Sequence, residues 1–115
     1  RQGYLEQLIF INKKVLQLAE TILLRSTGEP VVILIQGDHG PKSGTNVNES
    51  LQESFGILSA YYFPDDPSTF LYEDISPVNS FRVILDRYLS TDLGLVEDMS
   101  YVGGPDGYSR VAPAW

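Results

Sequence analysis

The sequence predicts an α/β fold, and three observations carry that prediction: a long amphipathic helix pattern over residues 4–25, an all-aliphatic strand pattern over residues 31–35, and a second strand pattern over residues 55–63 with a further helix pattern from residue 76. Helix, short link, strand is half of an α/β unit. With 115 residues, 43% of them hydrophobic, the chain is long enough for one core and too short for two, so a single domain over residues 1–115 is expected.

In the first helix Leu5, Leu8, Ile11, Val15, Leu18, Ala19, Ile22 and Leu23 recur at three- and four-residue steps, while Glu6, Gln7, Lys13, Lys14, Gln17 and Glu20 fill much of the remainder. That spacing places an apolar stripe on one side of about six turns. Ser26, Thr27, Gly28, Glu29 and Pro30 then supply a stop and a turn. Val31, Val32, Ile33, Leu34 and Ile35 follow, mostly β-branched, as expected of a strand buried on both faces. Residues 42–53 are rich in polar side chains and predict a long loop. Residues 55–63 are β-branched- and aromatic-rich and stop at Pro64; residues 65–74 make an acidic loop. Ser76 and Pro77 start a helix that runs to about Leu89, because a serine hydroxyl accepts from orphan amides and proline is tolerated in the first turn. Phe81, Ile84, Leu85 and Tyr88 share one face of it. Gly94, Gly103, Gly104, Pro105, Gly107 and Pro113 predict an irregular tail.

The net charge of -7 and pI of 4.4 argue against nucleic acid, which is held mainly by Lys and Arg. The acids are scattered, as on a solvated acidic surface. Without cysteine there is neither a disulfide framework nor thiolate chemistry, and both reducing and oxidising compartments stay open. No apolar stretch approaches the roughly 20 residues of a membrane-spanning helix. The chain opens on Arg1 and enters a helix pattern within a few residues, as a piece of a longer protein would.

The chemistry lies where the aliphatic strand runs out. Gly37, Asp38, His39, Gly40 and Pro41 follow Gln36, so an acid and the only imidazole sit side by side at a strand's carboxyl end, where open α/β sheets place ligands. The flanking glycines allow a sharp turn and a close backbone approach to an ion. A carboxylate and a neutral imidazole are good joint ligands for a divalent metal, but a catalytic zinc takes about three protein ligands and no second histidine is present. The competing reading is a turn braced by its own hydrogen bonds. Asp65 with Asp66, and Glu73 with Asp74, lack the spacing of a calcium loop. Tyr61, Tyr62, Phe63, Phe70 and Tyr72 either line a lipid or sugar pocket or pack as core.

The succession of a helix, residues 30–35, Gly37-Asp38-His39-Gly40, a polar loop, residues 55–64 and the Ser76-Pro77 helix start resembles the C-terminal part of sulfatase-like enzymes in the alkaline phosphatase superfamily, over roughly residues 4–101. The nearest flavour is the membrane-anchored branch. The resemblance implies a fragment of a three-layer sandwich, with Asp38 and His39 as ligands of one catalytic metal (Mn, Zn, Mg or Ca) and Lys42 positioned to reach a substrate oxyanion. It also implies a sulfate or phosphate ester substrate, with the nucleophile and first acidic ligand far upstream of this segment. The parent would be a hydrolase or phospho-group transferase with an extracytoplasmic domain, and this chain would be inactive alone and prone to self-association through uncovered apolar surface. The alternative is a non-catalytic α/β binding or structural module.

Overall fold

The computed structural model describes residues 2–41 and 45–111. In chain order it contains α1 (Gln2–Arg25), β1 (Ile33–Gln36), α2 (Val47–Phe55), β2 (Ser59–Tyr62), a 3-10 turn (Pro67–Thr69), α3 (Pro77–Tyr88), β3 (Ser100–Gly104) and β4 (Gly107–Val111). The mixed helix and strand content agrees with the sequence-based expectation. The chain divides into two compact units, Arg1–Ile35 with Ser59–Asp65, and Gln36–Leu58 with Asp66–Trp115.

In the first unit, α1 runs unbroken and closes with the Ser26 amide donating to the Ile22 carbonyl at 3.0 Å. Gly28, at φ 91°, makes the turn that follows, a left-handed conformation that glycine adopts without a side-chain penalty. None of the described α1 residues is buried; Val15, Ala19 and Leu23, at four-residue spacing, form a half-buried stripe, while Leu8, Ile11, Leu18 and Ile22 stay exposed. The amphipathic pattern therefore forms its helix but most of its apolar stripe is uncovered.

Strand β1 pairs with β2 in a two-stranded sheet. It is shorter than the aliphatic run predicts, and all four of its residues are half-buried rather than buried on both faces. Hydrophobic composition reports what a strand can bury, whereas burial needs neighbours, and β1 has one paired strand among the described residues. Strand β2 likewise covers only part of residues 55–63. After it Phe63 is 9% exposed and stacks on Tyr61 with centroids 6.0 Å apart.

In the second unit, the expected loop over residues 42–53 contains α2 instead. The Asn46 side chain accepts the Glu49 amide at 3.0 Å, and the Glu49 carboxylate reaches back to the Thr45 amide at 2.9 Å and the Thr45 hydroxyl at 2.6 Å. This reciprocal pairing satisfies orphan donors at the helix start. Hydrogen bonds from the Thr45 hydroxyl and amide also hold Glu49 below the usual carboxylate range. Asn46→Ala is expected to lower stability by about 1 kcal/mol, the usual cost of losing such a cap, in a urea unfolding titration.

Helix α3 begins as its sequence predicts: Ser76 is the N-cap, its hydroxyl accepts the Asn79 amide at 3.2 Å, and Pro77 occupies the first turn. Phe81, assigned to the apolar face, is exposed, whereas Asn79 and Ser80 are fully buried. The tail is not irregular throughout. Strands β3 and β4 form an antiparallel hairpin from the Ser100–Val111 pair to the Gly104–Gly107 pair, and Gly107 at φ 113° completes its Pro105-Asp106-Gly107 turn.

Candidate functional site

The Asp38-His39 turn follows β1 and is fastened at one end to the last turn of α2 and at the other to the segment that leaves it. The Gly37 amide donates to the Leu58 carbonyl at 2.9 Å, and the Gly40 amide to the Ser54 carbonyl at 2.8 Å. Gly40 is buried there. An ideal Cβ built on it would lie 1.8 Å from the Glu53 carbonyl oxygen and 2.7 Å from that of Gly56. A Cβ on Gly37 would meet only ordinary contacts, the nearest at 3.6 Å. The close approach that the glycines permit is thus made at Gly40, against the carbonyl end of α2.

Between the two anchors, Asp38 and His39 stand out from the surface, their side chains 91% and 55% exposed. Each uses one polar atom on the turn. Asp38 Oδ1 accepts the His39 amide at 2.9 Å, and His39 Nδ1 lies 2.8 Å from the Gly40 carbonyl oxygen. A carbonyl only accepts, so Nδ1 carries the proton and the neutral ring presents its lone pair on Nε2. The two atoms left over, Asp38 Oδ2 and His39 Nε2, face each other at 3.8 Å. Two coordinate bonds of ~2.1 Å reach across that gap, so the pair can share one divalent cation. A backbone carbonyl on the second ring nitrogen is also the usual way a metal-binding histidine is held in its tautomer.

The donor chemistry fits half of a metal centre. Among the described residues no group of three or more His, Cys, Asp or Glu could hold a metal ion. Lys42, expected beside a substrate oxyanion, lies outside the described residues. The acidic loop is occupied with its own backbone, Asp66 accepting the Ser68 amide at 2.9 Å. The aromatics do separate tasks: Tyr61 stacks on Phe63, the Arg87 guanidinium sits 4.3 Å over the Phe70 ring, and the Tyr72 hydroxyl donates to Asp98 at 2.6 Å.

Sequence reasoning missed a second polar centre, on α3. Asn79 donates to the Val96 carbonyl at 2.7 Å, to Asp98 at 2.8 Å and to the Tyr72 hydroxyl at 3.0 Å, and accepts the Val96 amide at 3.0 Å. Burial pushes the Asp98 carboxyl up, but hydrogen bonds from Ser76, Tyr72 and Asn79 outweigh it and hold the group below its ordinary value. Burial and then the Asp98 contact push the Tyr72 phenol up, so the phenol stays the donor. No buried side-chain polar atom among the described residues lacks a partner, as a satisfied structural network requires.

No protein-family model matches the chain, and neither the curated proteins nor the solved structures contain a significant match.

Proposed function

We propose that this chain is the C-terminal segment of a metal-dependent sulfatase-like hydrolase or phospho-group transferase of the alkaline phosphatase superfamily, acting on sulfate or phosphate esters. Asp38 and His39 are two ligands of its metal. One observation carries the reading: one polar atom of each side chain holds the bend, while Asp38 Oδ2 and His39 Nε2 face each other at 3.8 Å on exposed side chains. A bound divalent ion would supply Lewis-acid charge for an oxyanion and activate a nucleophile. The nucleophile and the remaining ligands lie outside these residues.

The half-buried β1 and the uncovered apolar stripe of α1 support a segment that completes its sheet and layers against further chain, as a three-layer sandwich requires. The same stripe supports self-association of the isolated segment. No described helix is long and apolar enough to cross a membrane. The non-catalytic module is favoured by the two bracing bonds and by the lack of a third ligand among the described residues.

In the protein carrying the whole domain, Asp38→Ala and His39→Ala are each expected to lower ester hydrolysis by more than about 100-fold, beyond what loss of an outer partner costs, and to weaken metal uptake. Ordinary activity in either variant would overturn the proposal. In the 115-residue chain, Mn2+ is expected to bind weakly and to lose that binding in both variants.

A further inference from the structure

The segment from Ser90 to Asp98 has no helix or strand of its own; most of what holds it comes from side chains of the helix before it, and Asp98 adds bonds from the Ser76 amide at 2.8 Å and the Tyr72 hydroxyl at 2.6 Å. Asp86 accepts the Thr91 hydroxyl at 2.6 Å, the Leu93 amide at 2.7 Å and the Gly94 amide at 2.9 Å. Arg82 donates through Nε to the Gly94 carbonyl at 2.6 Å and through Nη2 to the Leu93 carbonyl. Asn79 takes both the amide and the carbonyl of Val96. These three residues sit three and four apart, which sets them on one face of α3. The segment's one backbone bond to α3, from the Thr91 amide to the Leu85 carbonyl, is long at 3.5 Å.

Each end of the segment carries a distinct feature. Ser90 has φ 55°, a left-handed conformation unusual for a residue other than glycine, and marks where the chain turns back along the helix. At the other end Glu97 pairs with Arg110 at 2.9 Å, which ties the hairpin β3–β4 to the segment. The hairpin's extensive packing among the described elements is between its own two strands. Residues 91–97 are exposed, the bonds from Arg82 and to Asp86 are exposed while those of Asn79 are part-buried, and a segment with no ladder of its own and few buried apolar contacts belongs to the low-stability end of local opening.

We propose that residues 90–98 form a strap that docks on and leaves α3 as one unit, carrying the hairpin, with Asn79, Arg82 and Asp86 as its three fasteners. Docked, it covers the fully buried Asn79 and completes the Asp98 network; undocked, it uncovers the polar face of α3 and frees residues 100–111. The strap is independent of the Asp38-His39 reading, because none of its contacts involves that turn.

Native-state amide hydrogen exchange of the 115-residue chain tests it. In Asp86→Ala the amides of Leu93 and Gly94 lose their acceptor, whereas the Val96 amide keeps its own acceptor on Asn79. Leu93 and Gly94 therefore exchange faster in any case, and if the strap opens as a unit the Val96 amide exchanges faster too, by about tenfold or more, the scale of lost charge-assisted bonds. The Ser80 amide, which donates to the Ser76 carbonyl at 2.8 Å in the first turn of α3, then keeps its rate. An unchanged Val96 amide would show three separate contacts and overturn the proposal. Equal acceleration at Ser80 would show that the helix unfolds with the segment, and would overturn it too. Arg82→Gln, which removes the guanidinium from the Leu93 and Gly94 carbonyls and leaves all three amides their acceptors, is expected to accelerate Leu93, Gly94 and Val96 by a common factor and supplies the reading if Asp86→Ala does not stay folded.

Discussion

Gly40→Ala is expected to cost about 4 kcal/mol or more, in the range reserved for substitutions that break a defined structural feature. The added methyl would stand 1.8 Å from the Glu53 carbonyl oxygen and 2.7 Å from that of Gly56, and both obstacles are backbone. A flexible side chain could swing aside; the carbonyl end of α2 cannot do so without moving the helix or giving up the bond from the Gly40 amide to the Ser54 carbonyl. The neighbouring glycine is the control. A Cβ on Gly37 meets nothing closer than 3.6 Å, so Gly37→Ala is expected to stay within about 1 kcal/mol of the parent chain. Urea unfolding of the two variants side by side measures the difference. Equal, small losses would mean that the turn does not lie against α2. Under the proposed metal-ligand role of Asp38 and His39, the orientation of His39 Nδ1 by the Gly40 carbonyl makes Gly40→Ala expected to abolish metal uptake in the full domain and Gly37→Ala to keep it.

The elements that were legible in the sequence are those whose signal is local and regular. Helix α1 declares itself by apolar spacing over many turns, and α3 by a serine cap followed by proline, and both fall within two residues of their expected limits. Helix α2 was hidden by its polar composition, although the Asn46 and Glu49 pair and the four-residue spacing of Val47, Leu51 and Phe55 were present to be seen. In the tail, Pro105 and Gly107 read as breakers, whereas a proline-acid-glycine run between residues able to pair is a hairpin turn. The half-burial of β1 could not be read at all, because it depends on what lies beside the strand. At the site, the identities of Asp38 and His39 were legible. The division of labour among their four polar atoms was not, since it follows from rotamers that only the folded turn selects. Asn79 was further out of reach: an asparagine near a helix start is ordinarily solvated, and its burial comes from Val96 and Asp98, 17 and 19 residues onward.

That dependence makes Asn79 the second position with a large expected effect, and two substitutions separate its causes. Asn79→Leu keeps bulk and removes every polar bond, so the Val96 amide and carbonyl lose their partners and Asp98 loses a donor; a loss of about 3 kcal/mol follows. Asn79→Asp keeps an acceptor for the Val96 amide but sets a second carboxylate against Asp98, where the amide donor now lies 2.8 Å away. Two carboxylates that close cannot both ionise without penalty, so one holds a proton in the folded state. The signs of the pH dependence then separate. In the parent chain Asp98 and Asp86 are both held below their ordinary value of 3.8, so the stability they contribute is present above that value and is lost as pH falls through their folded values. In Asn79→Asp the shared proton raises a folded-state value, so stability is lost as pH rises and regained on acidification. Between about pH 7 and pH 5 the variant should gain stability while the parent chain stays level, as read by thermal unfolding at each pH. Parallel profiles would place the new carboxylate away from Asp98, and with it the polar centre that fastens residues 90–98 to α3.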